Sequence, residues 1–215
     1  MEATLSESKL SESESGPESV RLYVDPSCPF AWITSRWLHE VARLRPVAVE
    51  QAVMSLSVLN EFRELEPWYR EFNDRAWGPA RVAAAVAAEH GRAGLDGFYT
   101  EFGVRWHVGR ERDLAVVLLD ALNAAGLPPE LAAAAADQHW DATLRATHAT
   151  VQSLVGEELG TPVIVVRDAA FFGPVCTAIP RGEHATALFD AVLLAASCPQ
   201  FTELKRGRVG DLVLA

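Results

Sequence analysis

The chain has 215 residues, enough for a well-buried core in one domain, or in one domain carrying a large insertion. Its 19 basic and 29 acidic side chains give a formal charge of −10, which repels phosphate backbones and anionic lipid surfaces and so argues against nucleic acid or membrane as partners. Three cysteines, Cys28, Cys176 and Cys198, are odd in number and too few for a disulfide framework, which leaves packing or reactivity as their roles.

In chain order, residues 1–19 read MEATLSESKLSESESGPES, too polar to repay their ordering entropy, and are expected to be a disordered acidic tail. They lack the basic start and apolar stretch of a signal peptide, and no later apolar run is long enough to span a bilayer, so a cytoplasmic protein is expected. VRLYV alternates in the strand period, with Val20, Leu22 and Val24 on one face, and stops at Asp25-Pro26. From Pro29, the residues Phe30, Ile33, Trp37, Val41 and Leu44 recur at spacings of three and four, which predicts a helix ending before Pro46. Val47 to Val53 reads as a second strand, parallel to the first, so the start of the chain is a βαβ unit.

Residues 59–159 carry helix-period stretches punctuated by Gly78-Pro79, Gly91, Gly94 and GLPP at Gly126 to Pro129, and predict an all-helical insertion with an antiparallel helix pair around GLPP. Strand pattern returns in PVIVV, turns at Arg167-Asp168, comes back in AAFF, and is followed by a helix from about Glu183 to Ala196. The order βαβ, helices, ββα predicts an α/β chain of thioredoxin type, with the core domain at 20–58 and 160–206, a helical lid at 59–159, and a tail at 207–215.

No CxxC or HExxH occurs, and His39, His90, His107, His139, His148 and His184 have no ligand spacing, so no metal is expected. Neither GxGxxG nor a Walker loop is present, so no nucleotide or flavin is expected. Cys28 stands between a strand end and a helix opening at Pro29, where free amides and the positive end of the helix favour a thiolate. This predicts a partly exposed thiol of lowered pKa, flanked by Phe30 and Trp32. A free cysteine at such a junction is also a common small apolar packing residue. Thr161-Pro162, opening a strand after the insertion, tips the balance, because thioredoxin folds place a cis-proline loop beside the nucleophile.

DPSCPFAWITSRWLHEV, MSLSVLNE, RAWGPARVA, GTPVIVV and AFFGPV…IPRGE together resemble the DsbA-like thioredoxin-fold family, closest to its mycothiol-dependent nitroreductase and oxidoreductase group. The likeness runs from about residue 20 to 206. It implies a thioredoxin domain with an inserted lid, the low-molecular-weight thiol mycothiol as co-substrate, and a cleft for small electrophilic or disulfide substrates, in a monomer or homodimer. It implies that Cys28 is catalytic within the motif Pro29, Phe30 and Ala31, and that Thr161 and Pro162 form the cis-proline loop. It also implies that Trp32, Asn60 and His107 face substrate or thiol, with a weaker indication for Arg145 and His148. His107, titrating near neutral pH, is expected to stabilise an anionic sulfur. One departure matters: the family carries a second cysteine where this chain has Ala31, so no disulfide can form within the motif and a monothiol mechanism is expected. The resemblance gives Cys176 and Cys198 no role; Cys198 reads as the end of the last helix. The competing readings are a kappa-type glutathione transferase or related isomerase, in which serine commonly replaces the cysteine, and a redox-dead thiol-binding module.

Overall fold

The computed structural model describes residues 16–207 and 210–215. Its elements are β1 (Glu18–Val24), α1 (Pro29–Leu44), β2 (Val47–Val53), α2 (Leu56–Leu59), α3 (Pro67–Gly103), α4 (Leu114–Ala124), α5 (Asp141–Val155), β3 (Val163–Val166), β4 (Ala169–Phe172) and α6 (Gly182–Ala196). A π-helical turn, Val104–Val108, follows α3, and two 3₁₀ segments, Pro129–Ala136 and Gln138–Trp140, lie between α4 and α5. The expected order of βαβ, helices and ββα is present.

β1 begins at Glu18, inside the stretch expected to be a tail; residues 1–15 of that stretch lie outside the described residues. Pairing explains the earlier start: the Glu18 amide donates to Pro46 O at 2.9 Å, and its carboxylate meets Arg167 at 3.0 Å. The sheet order is β2-β1-β3-β4. β1 runs parallel to β2, from Glu18 opposite Val47 to Val24 opposite Val53, and β3 is antiparallel to both β1 and β4.

Strand alternation divides the core. Val20, Leu22 and Val24 pack with Trp37, Leu38 and Val41 of α1 and Phe189 of α6, whereas Tyr23 points the other way, to Met54, Val163 and Val151 of α5. The Trp37 indole N–H donates to Ala185 O at 2.9 Å, tying α1 to α6.

The lid has its own apolar centre, built from Ala80, Val82 to Val86, Leu95, Phe98, Phe102, Val117, Leu122, Leu131 and Leu144, and Val53 of β2 joins it. Of the expected punctuation, only Gly91 breaks α3, with φ +64° and ψ −159°; Gly78-Pro79 and Gly94 lie within the helical run. α4 ends before Gly126, which adopts φ +69°. Its partner after GLPP is a 3₁₀ segment rather than an α-helix, which corrects the expected α-helical pair. That run is cut after eight residues by Asp137, whose carboxylate caps the next turn at His139 N. Gly210–Ala215, a C-terminal strap that forms neither helix nor strand, lies against α1: Val213 N donates to Thr177 O at 2.8 Å and Trp32 Nε1 to Leu214 O at 2.9 Å. Among the described residues, no helix is long and apolar enough to cross a membrane.

Candidate active site

β1 delivers the chain, buried throughout from Tyr23 to Cys28, to a tight turn at Pro26-Ser27. Cys28 is the N-cap of α1 with extended backbone angles (φ −81°, ψ 114°), and Pro29 opens the helix. The Cys28 amide donates to Asp25 O at 3.0 Å, and Cys28 O receives Trp32 N at 3.1 Å, which fixes the residue at both ends. The Thr161-Pro162 bond is cis, and the Cys28 thiol donates to Thr161 O at 3.3 Å. The loop therefore lies against the sulfur, as the sequence pattern predicts.

Exposure and titration differ from expectation. Cys28 is only 4% exposed, and burial pushes its thiol up to about 11. The Thr161 side chain and the amides of Ala31 and Phe30 favour the thiolate but do not overcome burial, and the charge of Asp25 adds to the rise. The amides of the first helical turn act in the expected direction, and desolvation of the buried sulfur outweighs them.

Asp25 is the functional candidate that the sequence did not single out. It has no exposed surface, accepts from Ser27 N at 2.8 Å and Leu56 N at 2.7 Å, and is raised by burial to about 7. The available signal was an acidic residue directly after an apolar strand in DPSC. The buried Tyr99 hydroxyl has no hydrogen-bond partner among the described residues, and Thr161 Oγ1 has none besides the Cys28 sulfur.

Trp32 and His107 come together. Their rings stack at 5.8 Å, Arg36 lies over the indole at 4.4 Å, and His107 Nε2 is 2.9 Å from Pro26 O. Burial pulls His107 down to about 4, so it is a neutral ring near pH 7. This corrects the expectation of a histidine titrating near neutrality. Gly103 makes the stack possible, because a Cβ there would lie 2.2 Å from the Trp32 ring.

Asn60 is placed otherwise. Its buried amide donates to Leu56 O and Asn73 Oδ1, each at 3.0 Å, at the α2–α3 junction. Ala31 is wholly buried beside Cys28, and the half-buried Phe30 packs on the same cluster. Arg145 pairs with Glu61 at 2.7 Å, and burial lowers the pKa of His148. Cys176 is a half-buried free thiol in the loop after β4, and burial raises its pKa. Cys198 is exposed and free; the cap of α6 is its neighbour Ser197.

The chain matches the Rv2466c-like family, described as mycothiol-dependent nitroreductase Rv2466c, over residues 27–206. It is 30% identical over 195 residues to "Uncharacterized protein Rv2286c" of Mycobacterium tuberculosis (strain ATCC 25618 / H37Rv), an alignment covering 87% of this chain and 81% of that one. In structure it is similar to a putative protein disulfide isomerase from Nitrosomonas europaea, with 14% identity, 83% of this chain and 98% of that one covered, and a TM-score of 0.52. It is also similar to oxidised Mtb DsbA, at 15% identity, 84% of each chain covered and a TM-score of 0.50. These two likenesses bear on the fold, which is the DsbA-like thioredoxin fold with a helical insertion. A cysteine on the first turn of α1, a cis-proline loop against its sulfur and a family match spanning both lead to one assignment: the chain belongs to the Rv2466c-like mycothiol-dependent nitroreductase family and is a thiol-dependent oxidoreductase.

Proposed function

We propose that this chain is a cytoplasmic, mycothiol-dependent oxidoreductase acting through Cys28 as a monothiol. One observation carries the reading: the Cys28 sulfur lies against Thr161 at the opening of α1, while position 31, one turn along, is a buried alanine. In the resting state the thiol proton points to Thr161 O. Loss of that proton to solvent leaves a thiolate favoured by the Thr161 side chain and the Phe30 and Ala31 amides. The thiolate attacks the mycothiol sulfur of a mixed disulfide between mycothiol and a small substrate thiol, forming a mycothiol adduct at Cys28 and releasing the substrate as thiolate. A free mycothiol thiolate then attacks the mycothiol sulfur of that adduct, so the mycothiol disulfide leaves, Cys28 is regenerated and one substrate thiol has been released for each mycothiol disulfide formed. Small electrophiles are the other substrate class. Reduction of a nitro group to nitroso takes two electrons and two protons, matched by two thiols becoming one disulfide with release of water. Trp32, His107 and the Thr161-Pro162 loop serve as the thiol- or substrate-facing groups, while Asn60 ties α2 to α3 through Leu56 O and Asn73 Oδ1.

Intact-protein mass spectrometry after incubation with oxidised mycothiol, and separately with oxidised glutathione, tests this. The expected result is one thiol added to the wild type, none to Cys28→Ser, and removal of the adduct only by free thiol. If the wild type sheds the adduct unaided and forms an internal disulfide that Cys176→Ser cannot form, Cys176 is the resolving residue and the monothiol reading is wrong. The raised resting pKa of Cys28 favours a second reading, a transferase- or isomerase-like enzyme of kappa type that binds a thiol without disulfide chemistry. Full turnover by Cys28→Ser with every substrate tested is the outcome that selects it.

A further inference from the structure

Gly210–Ala215 lies outside the stretch matching the family, yet it is seated on the site. It behaves as a bound peptide would. Leu212 and Leu214 are half-buried while Asp211, Val213 and Ala215 are exposed, the period-two alternation of an extended strand lying on a surface. Its two hydrogen bonds to the body of the protein are main-chain contacts on the strap side: Val213 N–H to Thr177 O, and Leu214 C=O from the Trp32 indole N–H. Leu214 packs against the cluster that holds Cys28, Ala31 and Trp32.

The seat extends beyond the strap. On one side is a cavity of about 290 Å³ lined by Trp32, Arg36, His39 and Arg181, and on the other a cavity of about 220 Å³ lined by His107, Val108 and Arg110. Its rim is basic, with Arg36, Arg43, Arg110 and Arg181 set against Glu40, in a chain whose overall charge is −10. The strap is held by two main-chain hydrogen bonds and two half-buried leucines, contacts that any extended polypeptide of the same pattern can reproduce.

We propose that the groove formed by α1, the loop at Thr177 and the π-helical turn Val104–Val108 is a binding site for extended polypeptide, and that Gly210–Ala215 is its displaceable cis occupant. The ligand class is a peptide segment with apolar side chains at alternate positions and an acidic residue beside them. The strap and an external segment compete for the same two partners, Thr177 O and the Trp32 indole N–H, so binding in trans requires the strap to leave. Occupancy of the groove is read by binding alone, independently of the redox chemistry at Cys28.

The probe is a fluorescein-labelled peptide, Gly-Asp-Leu-Val-Leu-Ala, titrated by anisotropy into the full chain and into the full-length variant Leu212→Asp/Leu214→Asp, whose strap cannot seat its side chains. A tethered strap competes at high effective concentration, so the variant is expected to bind the probe at least about tenfold more tightly than the wild type. A probe with aspartate in place of both leucines should bind neither. A variant with unchanged far-UV circular dichroism and wild-type affinity for the probe overturns the proposal. The wild type supplies an independent check whether or not the variant folds: a saturating concentration of unlabelled peptide must accelerate hydrogen exchange at the Val213 amide, and an unchanged rate there also overturns it.

Discussion

Two effects of opposite sign meet at the Cys28 sulfur: amides of the first helical turn favour the anion, and enclosure at 4% exposure disfavours it. Enclosure wins. In a Cys176→Ser/Cys198→Ser background, alkylation of Cys28 by iodoacetamide should therefore keep accelerating above pH 9, with its midpoint near 11. A midpoint at or below that of an ordinary thiol would show that the resting site is more hydrated than its packing indicates. Asp25, His107 and His39 make stability depend on pH in opposite senses. Asp25 titrates at about 7 when folded against 3.8 for the free residue, so its contribution is present below about 4 and is lost as pH rises through 7. The two histidines titrate at about 4 when folded against 6.5, so theirs is present above 6.5 and is lost as pH falls through 4. Asp25→Asn removes the charge but keeps only one acceptor oxygen for the two amides, of Ser27 and Leu56, that the carboxylate receives. Relative to the wild type it should be destabilising by about 1–3 kcal/mol near pH 4, with the deficit shrinking from pH 5 to 8 as the wild type loses stability, in urea denaturation at each pH. A difference that does not vary with pH means that Asp25 does not titrate in this range. Cys28 and Thr161-Pro162 were legible in the sequence because residue type and position imply their geometry. The titration of Cys28, His107 and Asp25 was not, because it depends on burial by residues distant in the chain, including the π-helical turn and the strap.

At the scale of elements, legibility followed periodicity. The stripe from Phe30 to Leu44 and the β-branched alternation of Val47 to Val53 placed α1 and β2 at their observed bounds, since one buried face fixes each pattern. Glycine and proline punctuation was less informative. α3 runs through Gly78-Pro79 and Gly94 and breaks only at Gly91, because tertiary packing can hold a helix across a local breaker. The strap, whose alternation spans only Leu212 to Leu214, was too short to read as an element. Gly103 has a role that no periodicity reveals. Its backbone is ordinary helix at φ −63°, so its need is for space: a methyl group there would meet two Trp32 ring carbons at 2.2 Å. Gly103→Ala must therefore displace the indole or α3. An overpacking cost of about 1–3 kcal/mol is expected in chemical denaturation, together with a shift in tryptophan emission as the stack with His107 is lost. Substitution at Gly16 or Gly207, where a Cβ meets nothing within 4 Å, should leave both unchanged.

For the whole molecule, the central question is whether the lid is a separate unit or part of one cooperative body. It has its own apolar centre, which alone suggests independence, but α3 belongs to both halves: Leu95, Phe98 and Phe102 enter the lid cluster, while Tyr99 enters the cluster of α1 and the sheet. Val53 of β2 also joins the lid cluster, and Arg36 of α1 donates to Thr100 of α3 at 3.2 Å. The shared helix and shared strand mean that loosening the lid strips cover from Trp32 and Cys28, so the two halves should unfold together. Phe98→Ala tests this from the lid side, since the ring is wholly buried and lies tilted against Phe102 with centroids 5.8 Å apart. The substitution should cost about 3–5 kcal/mol. In hydrogen exchange across a urea series, protection in α3 from Val82 to Val86 and in β1 from Val20 to Val24 should be lost at one common, lowered midpoint. Were the α3 amides alone to shift while those of β1 kept the wild-type midpoint, the helical insertion would be an independent folding unit, and its packing beside Trp32 and Cys28 would not be linked to the stability of the sheet.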